Sequence, residues 1–198
     1  MYILIAGDSH VPDRAERINP RFRQLIENWS PWEMVFFTGD LTGMEVFNWL
    51  RSISKALFIV RGNMDVLTFP QKVILEIKGF KVGMIHGDGI YPRGDTKGLS
   101  KAASSLGVDI LISGHTHSDF VKTSITGGEL LLNPGSLTGV WGGGGGSYTP
   151  SFMVLDMGKN KLELHVFKME LGDIRREIYS IERIDGKWLI SFVKEVRL

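Results

Sequence analysis

Cysteine is absent from this chain of 198 residues. Its absence excludes disulfide bonds and metal sites built on thiolates, but it does not identify a cellular compartment. The chain also lacks an apolar run of the ~20 residues needed to span a bilayer, and it begins without the basic and apolar regions of a signal peptide. We therefore expect a cytoplasmic protein with no membrane-spanning segment.

An excess of charge of one sign is missing as well. The chain has 23 Lys and Arg against 22 Asp and Glu, which gives a formal net charge of +1 without any dense basic block. Electrostatics thus give no reason to expect a stable nucleic-acid partner, although an oligonucleotide substrate stays open. With 43% hydrophobic residues, residues 1–198 are expected to form one domain of the α/β class.

Short apolar runs bounded by glycine are typical of strands buried on both faces. Five such runs cover residues 2–6, 34–37, 57–60, 82–85 and 110–112. Within about three residues of each run comes a polar side chain that can bind a metal: Asp8, Asp40, Asn63, His86 and His115. Because ligands collect beyond the carboxyl ends of strands in open α/β sheets, we expect these side chains to meet at one rim.

Four of the five histidines lie in three short motifs: Gly7-Asp8-Ser9-His10, His86-Gly87-Asp88 and Gly114-His115-Thr116-His117. Residues two apart in an extended segment point the same way, so Asp8 and His10 can hold one ion, and His115 and His117 repeat the spacing. The Asp40 carboxylate can bridge two cations. Two cations about 3.5–4 Å apart clamp the attacking and leaving oxygens of a displacement at phosphorus. With no thiolate ligand, Mn, Ni, Fe, Zn and Co are all compatible with these residues.

The rest of the pattern predicts helices over 21–28, 45–52 and 97–106. It also predicts a hairpin of 72–77 with 80–85, and strands over 130–132, 152–156 and 162–168. A carboxy-terminal β-hairpin at about 174–196 turns at Asp185-Gly186. These elements predict an α/β fold of two mixed β-sheets packed face to face as a sandwich and flanked by helices.

In order, the motifs read Asp-x-His, Gly-Asp, Gly-Asn, a lone His and Gly-His-x-His, and they resemble the calcineurin-like metallophosphoesterases. The short length resembles the small bacterial and archaeal phosphodiesterase branch. Residues 7–14, 59–62, 108–117 and 133–139 resemble the phosphoesterase-fold subunit of retromer. The resemblance implies a metallophosphoesterase-like fold with two divalent ions, and it covers the chain up to roughly residue 180. It assigns one ion to Asp8, His10, Asp40 and His117, and the other to Asp40, Asn63, His86 and His115.

The activity that the resemblance implies is a metal-dependent phosphoesterase, with a phosphodiesterase preferred over a phosphomonoesterase. A hydroxide bridging the two metals would attack a small phosphodiester or nucleotide-type substrate. Three of the ligands would act on the transition state through the metals: Asn63, His86 and His115. Asp65, Asp88 and Ser136 are expected to stand behind the ligands.

Two positions depart from the family pattern. Many relatives have a histidine after Gly-Asn, whereas this chain has Met64, whose thioether cannot donate a proton to a leaving group. Slow turnover that favours activated phosphodiesters is therefore expected. Close relatives often have a second histidine where this chain has Asp88.

A scaffold like the retromer subunit, with vestigial or weak catalysis, is the alternative function, and a protein partner or a homo-oligomer would go with it. Two further regions stay open. Trp141 with the run Gly142–Gly146 reads either as a flexible loop or as a lid or partner-docking loop. Residues 133–136 read most simply as a turn, and their proximity to the rim in relatives gives a supporting role beside the ligands as the alternative. His165 is expected to be exposed.

Overall fold

The computed structural model describes residues 1–158 and 161–198. In these residues the elements, in chain order, are β1 (Tyr2–Ala6), α1 (Pro20–Glu27), β2 (Met34–Phe37), α2 (Met44–Ile53), β3 (Leu57–Ile59), β4 (Lys72–Ile77), β5 (Phe80–Ile85), α3 (Thr96–Leu106), β6 (Ile110–Ile112), β7 (Asp119–Thr123), β8 (Leu130–Pro134), β9 (Ser151–Met157), β10 (Lys161–Glu170), β11 (Asp173–Ile184) and β12 (Lys187–Arg197). None of the helices formed by these residues has the length and apolar character required to cross a bilayer.

The strands form one sheet of seven and one of five. The first has the order β12-β11-β10-β9-β1-β2-β3, in which β1, β2 and β3 are parallel and β9 to β12 are antiparallel. In the second, of order β4-β5-β6-β8-β7, a parallel centre of β5, β6 and β8 lies between two antiparallel edges. Both sheets are mixed, as the sequence predicted.

One of the buried apolar clusters lies between the two sheets. Ile3 and Ile5 of β1 belong to the same buried cluster as Ile110 and Ile112 of β6. The alternate residue Leu4 belongs to a second buried cluster, which includes side chains of α1 and α2. Because both faces of β1 are covered, its sequence is a continuous apolar run and does not alternate.

The three helices were predicted with their ends within one residue. Helix α1 begins after Asn19, whose side chain accepts a hydrogen bond from the Arg21 N–H. Helix α3 begins after Asp95, whose carboxylate accepts from the Gly98 N–H at 2.7 Å, and it ends at Gly107 with φ of 64°. These capping residues set the helix ends, because they satisfy terminal N–H groups and allow a left-handed turn.

Strand β7 was not predicted, because its residues are all half-buried and form no apolar run. Strands β11 and β12 extend beyond their apolar runs and form a hairpin. Asp185 and Gly186 lie at its turn with φ of 49° and 76°. Two positive φ values in a two-residue turn suit the right-handed twist of the strands, which is the reason for the Asp-Gly signal.

Two expectations about local structure were wrong. His165 is only 6% exposed, because Trp29 lies against its ring, and its Nε2 is 3.0 Å from Glu163 Oε1. Residues 133–136 were read as a turn, but Asn133 and Pro134 close strand β8, and the chain turns only at Gly135 with φ of 72°.

Candidate metal centre

The seven polar side chains singled out in the sequence all come from loops that follow strands of the two sheets. Asp8 and His10 follow β1, Asp40 follows β2, and Asn63 follows β3. From the five-stranded sheet, His86 follows β5, and His115 and His117 follow β6. Since β1–β3 and β5–β6 are parallel within their sheets, their carboxyl ends deliver these residues to one rim.

Four of these side chains form one tight cluster. Asp8, His10, Asp40 and His117 each offer a ligand atom, these atoms lie within 4.8 Å of one another, and all four residues are buried. His10 Nε2 is 3.1 Å from His117 Nε2 and 3.3 Å from Asp40 Oδ2. His117 Nε2 is 3.5 Å from Asp8 Oδ1. A single cation could replace these close contacts between ligand atoms.

The remaining side chains gather around His86. Its Nε2 is 3.1 Å from Asn63 Oδ1, 3.2 Å from His115 Nδ1 and 3.5 Å from Asp40 Oδ2. Asp40 therefore lies between the two groups of ligand atoms, since its Oδ2 atom contacts both His10 and His86. This is the position that a bridging carboxylate requires.

The segments that contain the ligands are not extended, contrary to the expectation for Asp8 and His10. Five of the seven residues have positive φ: Asp8 at 48°, His10 at 46°, Asp40 at 53°, His115 at 66° and His117 at 54°. Such backbone is unfavourable for residues with a Cβ and persists only where the surroundings fix it. Hydrogen bonds between the loops do so, from Asp8 N–H to Gly39 O at 2.9 Å and from Gly114 N–H to His86 O at 2.8 Å.

Backbone carbonyls orient two of the histidine rings. His86 Nδ1 lies 2.8 Å from Thr38 O, and His117 Nδ1 lies 2.7 Å from Val140 O. A carbonyl oxygen only accepts, so each Nδ1 carries a hydrogen and each Nε2 faces the centre. Partners of this kind fix the tautomer of metal-binding histidines.

The pKa values of the two buried carboxyl groups move in opposite directions in the metal-free site. Burial raises the pKa of Asp8 to about 7, with a further contribution from the charge of Asp40. Burial also opposes ionisation of Asp40, but hydrogen bonding to His86 and the positive charge of that ring lower its pKa. Asp40 is thus the carboxylate held ionised at the middle of the site.

The pKa values of the histidines also move in opposite directions. Burial lowers the pKa of both His10 and His115 to about 4 and also lowers that of His117. Burial works against the charged form of His86 too, but the hydrogen bond to Asp40 and the charges of Asp8 and Asp40 raise its pKa to about 9. A positive charge is stabilised at the centre, and in the metal-free protein the His86 proton supplies it.

Asp65 and Ser136 contact the backbone of the loops that contain the candidate ligands. The Asp65 carboxylate accepts four backbone N–H groups, from Asp40, Leu41, Thr42 and Gly62, at 2.7–3.0 Å. The Ser136 hydroxyl donates to Asp8 O at 2.7 Å. Asp88 is exposed and lines the adjacent pocket.

Two further residues that shape the centre lie beside predicted motifs. Thr38 was not singled out in the sequence, although it directly precedes Gly39-Asp40 and its carbonyl orients His86. Asn133, expected in a turn, donates from Nδ2 to Gly114 O at 2.8 Å. A Cβ at Gly114 would lie 2.8 Å from Asp8 Oδ2, so the glycine of Gly-His-x-His lets the two ligand loops approach.

A pocket of about 610 Å³ opens beside the second group of ligand atoms. It is lined by Arg61, Gly62, Asn63, Gln71, Ile85, His86, Gly87, Asp88, Gly89, Ile90 and Ala102. Volumes of this size accommodate small-molecule ligands.

Comparison with known proteins gives a family match and several relatives. The sequence model of the calcineurin-like phosphoesterase superfamily domain matches residues 1–160. A probable metallophosphoesterase of Methanocaldococcus jannaschii is 41% identical over 138 residues, which cover 70% of this chain and 69% of the relative.

Solved structures of Vps29 are similar over nearly the whole chain. Vps29 of Cryptosporidium parvum has a TM-score of 0.86 at 30% identity, covering 92% of this chain and 98% of that one. Vps29 of Entamoeba histolytica in complex with zinc has a TM-score of 0.79 at 31% identity and covers 98% of both chains. Vps29 of Chaetomium thermophilum bound to a cyclic peptide has a TM-score of 0.73 at 26% identity, covering 100% of this chain and 96% of that one.

Proposed function

Because the chain belongs to the calcineurin-like phosphoesterase superfamily, we propose that it is a phosphodiesterase that uses two divalent metal ions. The observation that carries this proposal is the position of Asp40, whose Oδ2 lies 3.3 Å from His10 Nε2 and 3.5 Å from His86 Nε2. A carboxylate between two groups of nitrogen and oxygen ligands suits a pair of cations better than a single one.

The chemistry of the donor set fits divalent cations. Asp8 and Asp40 are buried, and among residues 1–158 and 161–198 their ion-pair partners are histidines alone, with no Lys or Arg. Buried carboxylates without a permanent positive partner are unfavourable. Imidazole, carboxylate and amide ligands suit Mn, Ni, Fe, Zn or Co.

The proposed ligands divide as the structure groups them. Asp8, His10, Asp40 and His117 would hold one ion, and Asp40, Asn63, His86 and His115 would hold the other. When bound, the two ions would lower the pKa of a water beside the phosphorus and offset the negative charge that develops on the phosphoryl oxygens.

The chain's own residues would place the substrate. The pocket of about 610 Å³ contains Asn63 and His86, so a phosphodiester bound there presents its phosphorus to the second group of ligands. Asn63, His86 and His115 would orient the phosphoryl oxygens as charge builds up in the transition state. Hydrolysis adds a water oxygen to phosphorus, breaks the bond to the leaving oxygen and transfers a proton to that oxygen.

Departure of the leaving group is the weak point of this site. Met64 follows Asn63, is 39% exposed and carries no proton to donate. We therefore propose that turnover favours diesters with good leaving groups, such as aryl phosphodiesters.

An assay of phosphodiester and phosphomonoester substrates across Mn, Ni, Fe, Zn and Co tests this function. We expect turnover of bis-p-nitrophenyl phosphate that depends on the metal and is lost in Asp40→Asn and His86→Ala, with the circular dichroism spectrum unchanged. The matched control is Asp185→Asn in the distant hairpin turn. Turnover that persists in both site variants would refute the proposal.

A scaffold function is the second candidate. It is favoured by the similarity to Vps29 structures, one of them in complex with a cyclic peptide. The chain also has an apolar groove of about 470 Å³ away from the candidate ligands, where Phe47 and Phe69 line the groove together with Phe58 of the edge strand β3. Metal-saturated protein that hydrolyses no diester, monoester or nucleotide, yet retains a stable protein partner, would favour the scaffold.

A further inference from the structure

Three consecutive carbonyl groups in one loop connect the metal centre to two arginines. Val140 O accepts from the His117 ring, Trp141 O accepts from Arg14 Nη1 at 2.8 Å, and Gly142 O accepts from Arg93 Nη1. Adjacent carbonyls therefore bring two guanidinium groups, from separate loops, to the side of His117.

Short contacts join Arg14, and the loop residue that accepts from Arg93, to the loops with the candidate ligands. The Arg14 backbone N–H donates to His10 O at 2.8 Å. Gly142 packs directly on the His117 ring, since a Cβ at Gly142 would lie 2.5 Å from Cγ of that ring. Both positive charges thus lie beside residues proposed to bind metal.

Among residues 1–158 and 161–198, no carboxylate neutralises either arginine. In the part of the chain that the structure describes, Arg14 and Arg93 take part in no ion pair, and both side chains are exposed. Each guanidinium group has five N–H donors, and Nη1 donates to a neutral carbonyl. Two guanidinium groups that donate to adjacent carbonyls of one loop thus have further N–H donors for phosphate oxygens, which guanidinium forks bind well.

An exposed aromatic ring adjoins this pair. Trp141 is 56% exposed, and the Arg14 guanidinium lies 5.5 Å from the centroid of its ring. An exposed tryptophan ring beside an arginine offers a surface on which a nucleotide base can stack.

From this geometry we propose that Arg14 and Arg93 bind a second phosphate group of the substrate. The preferred substrate would then be a phosphodiester with another phosphate close to the scissile one, either in a short oligonucleotide or in an ester of a nucleoside diphosphate. The inference rests on the proposed phosphodiesterase function and specifies its substrate class.

Two pairs of substrates distinguish a short oligonucleotide from an ester of a nucleoside diphosphate. The first pair is the dinucleotide pTpT and its analogue TpT, which lacks the terminal phosphate. The second pair is the p-nitrophenyl esters of thymidine 5′-diphosphate and thymidine 5′-monophosphate. For the wild type we expect kcat/KM to be about tenfold to one hundredfold higher for the member with the extra phosphate in at least one pair, the range given by one or two charge-assisted hydrogen bonds.

The variants Arg14→Gln and Arg93→Gln should lower that ratio toward one. Arg197→Gln, at an exposed arginine near the end of β12, is the matched control and should leave the ratio unchanged. If the arginines only held the loop in place, both members of a pair would lose activity alike and the ratio would stay the same. That result, or a wild-type ratio near one in both pairs, would overturn the inference.

Equilibrium binding distinguishes a failure of this inference from a failure of the proposed function. Calorimetry on manganese-loaded protein compares thymidine 3′,5′-bisphosphate with thymidine 5′-monophosphate. Tighter binding of the bisphosphate by the wild type, lost in both glutamine variants, supports a phosphate site at Arg14 and Arg93 even in a protein that hydrolyses nothing. Equal binding of the two nucleotides by an active enzyme would refute the phosphate site at Arg14 and Arg93 and leave the proposed phosphodiesterase function standing.

Discussion

Asp65 offers a sharp test of how the ligand loops are held. Its Oδ1 accepts from the N–H groups of Leu41 at 2.8 Å and Thr42 at 3.0 Å, and its Oδ2 accepts from Asp40 at 3.0 Å and Gly62 at 2.7 Å. The carboxylate is buried, with 5% of the residue exposed. It therefore ties the loop after β2, which contains Asp40, to the loop after β3, which contains Asn63.

Substitution Asp65→Asn keeps the shape but replaces one accepting oxygen with an NH₂ group. Two of the four buried N–H groups then lose their acceptor and face a donor. An unsatisfied buried donor costs about 1–3 kcal/mol, so two should lower the free energy of unfolding by about 3 kcal/mol. Loss of a residue that positions metal ligands should also weaken metal affinity by about tenfold to one hundredfold.

Urea-induced unfolding of the metal-free variant measures the first effect, and calorimetric titration with manganese measures the second. The control is Asp88→Asn, which alters an exposed carboxylate on the edge of the adjacent pocket. It should stay within about 0.5 kcal/mol of the wild type. If Asp65→Asn were equally harmless, the four hydrogen bonds would not be what holds the two loops together.

Two further predictions concern protons. In the metal-free site the pKa of Asp8 is raised to about 7 and that of His86 to about 9, so a cation must displace protons from both groups. Manganese affinity should consequently rise from about pH 6 to about pH 9, measured by calorimetry, and a constant affinity over that range would contradict this. Substitution Met64→His restores a proton donor beside the exposed pocket and should raise kcat on alkyl phosphodiesters by about one hundredfold, with a smaller gain on aryl diesters. Equal gains on both substrate classes would show that leaving-group protonation does not limit the wild type.

Much of the fold was predictable because the central strands are buried on both faces. The continuous apolar runs of β1, β2 and β6 predict buried strands. The polar residue that follows each run is then expected at the carboxyl end of its strand, where ligands collect. The turn at Asp-Gly 185–186 was also predicted, since a two-residue hairpin turn requires particular residues.

The rest depends on contacts between segments distant in sequence. Strand β7 has no apolar run, and pairing with β8 determines it. The positive φ values of Asp8 and His10 arise because other loops fix this backbone, which a local pattern does not reveal. His165 looked exposed among charged neighbours, but Trp29 covers it.

The loop 140–146 illustrates the same limit at the site. Its glycine run predicted either a flexible loop or a lid or partner-docking loop, with no indication that Val140 O would orient His117. Arg93 likewise has no signal in the local sequence, and only the structure shows that it donates to Gly142 O, next to the Trp141 O that accepts from Arg14. The proposed binding of a second phosphate therefore rests on tertiary contacts that the local sequence does not predict.

Anomalous diffraction from crystals soaked in manganese tests the two-metal centre most directly. We predict two peaks about 3.5–4 Å apart, with the Asp40 carboxylate between them and the other six side chains divided as described. A single peak, or none at saturating manganese, would contradict the proposal that these seven residues hold a pair of ions.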